Sequence, residues 1–405
     1  MMANDGNPLS QVDFIQAKLD QLRNRLQVVS SEPIAVPNSF GRVAAQSIQA
    51  FRDSPATDVS AMDGYAVHLE EVDGSTLRVF GTATAGSIPL DLPPRSAVRV
   101  FTGGPVPARA QCVVRREDCD ESETYVTIRT PRDDLALGLN IRRQAENARL
   151  GDTIIPRGSL LDACNYAGAL TFCNDPFLDV HRPVRIGIIN TGDELIPYGQ
   201  PISPWQIRDS NGPFLESNLS QQPWLTVERI QVDDDRDRTE QAIRDVLSRS
   251  DAVLITGGVS MGDTDYVPDA ISACGGQVLF HRIPIRPGRP MLGAVGPEGQ
   301  LILGLPGNPL SVAVTFRRYG VELLRYVAGM VNPELFSMVE VESDDPKTLD
   351  LTWFRLVKKQ SNGKLSLVSS KGSGDIASLL QSDGFIEVPR HTPTTGMRRF
   401  FPWNR

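Results

Sequence analysis

The chain has 405 residues, with 49 acidic against 41 basic side chains, a net charge of −8 and 40% hydrophobic residues. That is more chain than one core usually serves, so a globular protein of two to four domains is expected. The acidic balance argues against a nucleic-acid partner, and no apolar run reaches bilayer length, so no membrane partner is expected either.

The opening MMANDGNPLSQVDF lacks the basic and apolar regions of a signal peptide, which makes the cytoplasm the expected compartment. Val12, Ile15, Leu19, Leu22 and Leu26 then recur three or four apart, an amphipathic helix over 10–29 with Ser10 as its N-cap. From 48 to 139 the segments are short, β-branched and cut by Gly and Pro, an inserted β module. A strand or turn and a helix follow over 150–173, expected to pack against the first helix. From 182 the texture alternates: VRIGIIN, a helix at 211–221, LTVERIQV, RTEQAIRDVLSR, DAVLIT, a helix near 266–274, QVLFHRI, LILGL and a helix at 310–328. Alternation of this kind predicts a mostly parallel sheet covered on both faces. After 331 short strands return, with Asn362-Gly363 marking a hairpin. The fold class is therefore α/β plus β, multidomain. Residues 1–47 plus 140–181 form a helical domain, 48–139 the β insertion, 182–329 an αβα domain and 330–405 a small β domain.

In an open parallel sheet, ligands bind beyond the carboxyl ends of the strands. After VRIGIIN stands Thr191-Gly192-Asp193-Glu194. After DAVLIT stands Gly257-Gly258-Val259-Ser260, followed by Asp263 and Asp265. After LILGL stands Pro306-Gly307-Asn308-Pro309-Leu310-Ser311. One such glycine turn is often only a matter of geometry. Two in one sheet, both with hydroxyls, suit phosphate, because glycine admits close approach and helix-start N–H groups attract anions. Carboxylates at Asp193, Glu194, Asp263 and Asp265 would repel a phosphate unless a cation lies between, and Mg²⁺ is the usual bridge. N-capping is the competing role for Asp193 or Asp265. The run Asp233–Asp235 reads as a solvated turn before the next helix, of which one member can point into the cleft. Glu194, Asp235 and Asp265 form the expected ligand set. Arg282, Arg286 and Arg289 make a local basic patch able to pair with oxyanions.

The five cysteines are scattered without a C-x-x-C and the four histidines stand apart, so zinc, a disulfide framework and a Ser-His-Asp or Cys-His set are not expected. His68, His181, His281 and His391 read as surface or packing residues. SAMDGYAV (60–67) raises a separate question. Asp-Gly is turn chemistry, with Gly64 expected to need an unusual backbone. Its small and apolar neighbours suit a packed loop in which the Asp63 carboxylate requires a partner.

SAMDGYAV, FTGGPVP, NTGDEL, TGGVSMGDTDYV, RPGRP and GLPGNPLS occur in that order, and together they resemble the molybdopterin molybdenumtransferase (MoeA) family and the E domain of gephyrin. The resemblance implies an elongated homodimer of four-domain subunits. It implies a reaction that inserts molybdenum from molybdate into adenylylated molybdopterin and releases AMP with Mg²⁺. Asp63, Thr102, Asp193 and Glu194 are then the expected catalytic residues, the first two supplied from the β insertion across the dimer. The pterin and phosphate contacts fall on Gly257, Gly258, Val259, Ser260, Asp265, Pro306, Gly307, Asn308, Pro309 and Ser311. Arg282, Arg286 and Arg289, which stand where the family usually has lysines, join Arg355 and Ser373 (in KGSGD) around molybdate. Molybdopterin adenylyltransferase and molybdenum-enzyme apoproteins are the implied partners. One departure is Asn147 in Arg142-Arg143-Gln144-Ala145-Glu146-Asn147, where the family often has Asp. The alternatives are adenylyl transfer to molybdopterin, or a degenerate pterin-binding scaffold.

Overall fold

A computed structural model describes residues 11–259, 266–334, 336–342 and 345–403. The chain divides into two compact units, one of residues 47–156 and 167–176, the other of residues 1–46, 157–166 and 177–405.

The smaller unit is built on a six-stranded sheet. Its order is Cys112–Arg115, Gly64–Val67, Ser96–Val100, Thr76–Ala83, Tyr125–Ile128 and Cys119–Glu121. Alternate residues of these strands, among them Tyr65, Val67, Leu77, Ala97, Val114 and Val126, meet in one core. Gly64 opens its strand without a left-handed backbone, contrary to the turn reading of Asp-Gly. Its glycine is required by proximity instead. A Cβ there would lie 2.0 Å from the Val114 carbonyl oxygen of the neighbouring strand.

The larger unit holds the αβα sheet, in the order Leu225–Val232, Val184–Thr191, Ala252–Thr256, Leu301–Leu305, Leu292–Val295 and Gln277–His281. The first four strands are parallel. Ala252–Thr256 and Leu301–Leu305 are buried along their whole length because both faces are covered. Leu254, Leu303 and Leu305 enter one core, Val253, Ile255 and Ile302 the other. The strand Leu292–Val295, antiparallel to its neighbour, was not separable in the sequence from the RPGRP turn before it. The helix Gln11–Arg23 is shorter than its apolar spacing predicts. Ile15, Leu19 and Leu22 join the core of this sheet rather than forming a helical core of their own. The Ser10 cap lies outside the described residues. The long helix after LILGL runs as Pro309–Thr315 and Val321–Val327 with a π turn, Phe316–Gly320, between them.

The last strands close a five-stranded barrel. Thr352–Lys359 pairs with Leu365–Leu367 and with Gly384–Val388, and Ser337–Glu342 and Gly396–Pro402 complete the ring. The Asn362-Gly363 hairpin forms as expected, with Gly363 at φ +83°. Closure leaves no free strand edge within the ring. A short strand, Ile285–Arg286, adds to it in parallel beside Thr352 and Trp353. The RPGRP motif thus belongs to both the sheet domain and the barrel.

Candidate active site

In the smaller unit, Asp63 and Thr102 are brought together. Asp63 Oδ1 accepts the Thr102 N–H and the Thr102 hydroxyl, both at 2.8 Å. These donors, the backbone N–H first, hold the exposed Asp63 carboxyl below its ordinary value of 3.8. The carboxylate therefore has its partner within its own unit.

In the larger unit, parallel register places Thr191, Val232, Thr256 and Leu305 at one edge. The loops that follow them converge there. Gly257 and Gly258 are left-handed at φ +89° and +60°. A Cβ on Gly257 would sit 2.6 Å from Thr191 Oγ1, and one on Gly307 would sit 3.7 Å from Gly257 Cα, so the two glycine loops abut. Gly307 and Asn308 are exposed, whereas Pro306 is buried. Val259 and Ser311 are buried, at 1% and 3% exposure. The Val259 side chain packs in the core, so only its backbone can face a ligand. Ser260 and Asp265 lie outside the described residues, as does Asp263.

Asp193 and Glu194 are exposed at this edge. Asp193 Oδ1 accepts the Asp234 N–H at 2.9 Å, bracing its loop against the next one. Asp235 Oδ1 accepts the Arg238 N–H at 2.9 Å and caps the helix Arg236–Leu247, so its carboxylate is engaged in capping. Among the described residues no three His, Cys, Asp or Glu side chains gather around one point that could hold a metal.

The barrel supplies the other wall. The Ser373 carbonyl accepts the Leu310 N–H at 3.0 Å, which lays the KGSGD loop on the GNP turn and occupies one helix-start donor. Asp375 shapes that loop by accepting the Lys371 and Ser378 N–H groups, and these, Lys371 first, lower its pKa. Arg282, Arg286 and Arg289 are exposed. Arg286 registers with Trp353 across the strands. Arg355 lies 4.2 Å over the Trp353 ring, and its Nη1 donates to Asp345 Oδ2 at 2.5 Å, so it presents a paired charge. Two residues escaped the sequence reading. His281 Nε2 meets the Val259 carbonyl at 2.7 Å, and Asn211 Nδ2 donates to the Gly307 carbonyl at 2.6 Å. Neither carries a spacing signal, because each acts on a loop distant in sequence.

Residues 13–172 match the family model described as MoeA N-terminal region (domain I and II), and residues 187–326 match the probable molybdopterin binding domain. A molybdopterin molybdenumtransferase of Synechococcus elongatus is 32% identical over 93% of this chain and 94% of its own. The chain belongs to the molybdopterin molybdenumtransferase family. A molybdopterin molybdenumtransferase of a Nostoc species is also 32% identical, over 86% of this chain and 83% of its own. Among solved structures, the molybdopterin biosynthesis MoeA protein of Pyrococcus horikoshii superposes with a TM-score of 0.77 at 25% identity, covering 96% of this chain and 99% of that one. Within this family frame, Asn147 keeps a structural task. Its Oδ1 accepts from Arg142 Nη2 at 2.7 Å, and its N–H donates to the Ser54 carbonyl at 2.8 Å. Arg142 in turn pairs in register with Val59, next to SAMDGYAV. The Arg142 bond needs only a side-chain acceptor, which an amide oxygen supplies without the charge a carboxylate would add, and the Ser54 bond comes from the main chain.

Proposed function

We propose that the chain inserts molybdenum from molybdate into adenylylated molybdopterin and releases AMP, as a cytoplasmic homodimer dependent on Mg²⁺. The convergence of the two glycine loops, the Asp193–Glu194 loop and the RPGRP arginines at one sheet edge carries this reading. A doubly phosphorylated pterin and an oxyanion need backbone N–H groups at close range and fixed cationic donors. Arg286 and Arg289, both exposed, suit the oxyanion; Arg355 suits it less, because its charge is already paired with Asp345. Glu194, exposed beside Asp193, fits magnesium, which takes one or two carboxylates together with phosphate oxygens and water. Bound there, the ion would offset phosphate charge. Asp265 remains part of the proposed set, and Asp63 with Thr102 is assigned to the same reaction on the family resemblance.

The test is to incubate the purified chain with adenylylated molybdopterin, Mg²⁺ and molybdate and to follow AMP and the molybdenum-loaded pterin. Both products should form without ATP, and Glu194→Gln should slow AMP release by about a hundredfold. A requirement for ATP and unadenylylated pterin would replace this reading with adenylyl transfer. Pterin binding without AMP release would replace it with a scaffold.

A further inference from the structure

The carboxyl edge of the sheet rests on polar side chains where the strands are otherwise apolar. Asn190 is 0% exposed, Thr256 1%, and Thr191 and Asn211 6% each. Asn190 Nδ2 donates to Thr256 Oγ1 at 2.7 Å, binding two strand ends together. Asn211, at the start of the helix Asn211–Ser220, reaches the Gly307 carbonyl instead. That bond gives the buried Asn211 amide a partner on a turn whose Gly307 is exposed. It also adds orientation. Pro306 and Pro309 have fixed φ, and Leu310 is held by the Ser373 carbonyl, so the peptide between Gly307 and Asn308 is the part of the turn most free to rotate. That peptide is trans, so its C=O and N–H point in opposite directions. With the Gly307 oxygen drawn to Asn211, the Asn308 N–H points away from Asn211, and it has no acceptor among the described residues.

We infer that Asn211 is a positioning residue: through the Gly307 carbonyl it turns the Asn308 N–H toward a bound phosphate. This rests on the phosphate reading of the edge proposed above. The variant that tests it is Asn211→Asp, which keeps the shape. Its ionised carboxylate repels the Gly307 oxygen and drives the peptide to present a carbonyl to the phosphate. Burial and the facing carbonyl raise the pKa of the new acid above the usual Asp value. Its protonated form again donates to Gly307, so lowering the pH should restore function.

AMP affinity by calorimetry, kcat/KM for adenylylated molybdopterin and the melting temperature would be measured for wild type and Asn211→Asp from pH 8 to pH 5.5. At pH 8 Asn211→Asp should bind AMP about tenfold more weakly or worse, a loss of about 1.4 kcal/mol, with the melting temperature retained. Its deficit relative to wild type should shrink as the pH falls. Asn211→Ser, neutral and too short to reach, should show a loss that pH does not repair. AMP affinity within about twofold of wild type for either variant, or a deficit in Asn211→Asp that ignores pH, overturns the inference. If Asn211→Asp melts early, Asn211→Ser decides alone. A wild-type chain that binds AMP but does not release it from adenylylated molybdopterin overturns the functional reading, while the AMP series still decides the role of Asn211.

Discussion

Asp63 shows how one carboxylate is prepared by two donors from a single residue. The Thr102 N–H and hydroxyl both point at Oδ1, and Oδ2 carries no hydrogen bond among the described residues. The folded pKa is depressed, so these hydrogen bonds are present at neutral pH and are lost only as the pH falls through the lowered value, below 3.8. An acid limb of the activity profile at pH 5 therefore cannot come from Asp63. Asp63→Asn should lower AMP release by about a hundredfold while leaving the melting temperature unchanged, since the side chain is exposed. Unchanged turnover would return it to a loop-shaping role. The partner of Asp63 was not legible in SAMDGYAV, because Thr102 lies 39 residues away.

At the scale of elements, two contacts between strands decide local stability. Gly64→Ala would force a methyl into the Val114 carbonyl. It should destabilise the smaller unit by about 1–3 kcal/mol in chemical denaturation, with no φ strain involved. In the larger unit, Asp251 precedes the strand Ala252–Thr256 and receives Arg182 at 2.6 and 2.7 Å and the Arg185 N–H at 2.9 Å. Burial alone would raise its pKa. The hydrogen bonds from Arg182 and then Arg185 outweigh burial and bring it to about 2. Its folded pKa is depressed, so its contribution is complete above the ordinary 3.8 and fades as the pH falls toward 2. Denaturant melts should show a loss of about 2 kcal/mol over that window. Asp251→Asn should flatten it.

At the scale of the whole molecule, the larger unit is joined by a chain of partly buried charges. Arg318, in the π turn, donates to Glu387 of the barrel and to Glu322, both at 3.1 Å, and Glu322 also receives Arg23 of the first helix. The Arg318 and Glu387 side chains are only 11% and 6% exposed. Glu387→Ala leaves a buried guanidinium without its main partner and should cost about 3–5 kcal/mol in equilibrium unfolding. Glu387→Gln, which keeps an acceptor, should cost less. Because the π turn continues the helix that starts at the GNP turn, barrel and phosphate loop are tied to the same element.

Local pattern was enough to determine the central strands, the helices between them, the Asn362-Gly363 hairpin and the glycine loops at strand ends. Each is a periodic or punctuated segment whose preference acts over a few residues. The motif order was enough to reach the family. Tertiary structure alone decided where the first helix packs, since its apolar stripe fits any apolar face and finds the sheet. It decided barrel closure and the antiparallel strand Leu292–Val295, which depend on pairing between distant segments. It also decided that Asp235 caps a helix, that Val259 and Ser311 are buried, and that Asn211 and His281 reach the glycine loops. A side chain's partner across tens of residues leaves no trace in spacing; only the folded chain brings the two together.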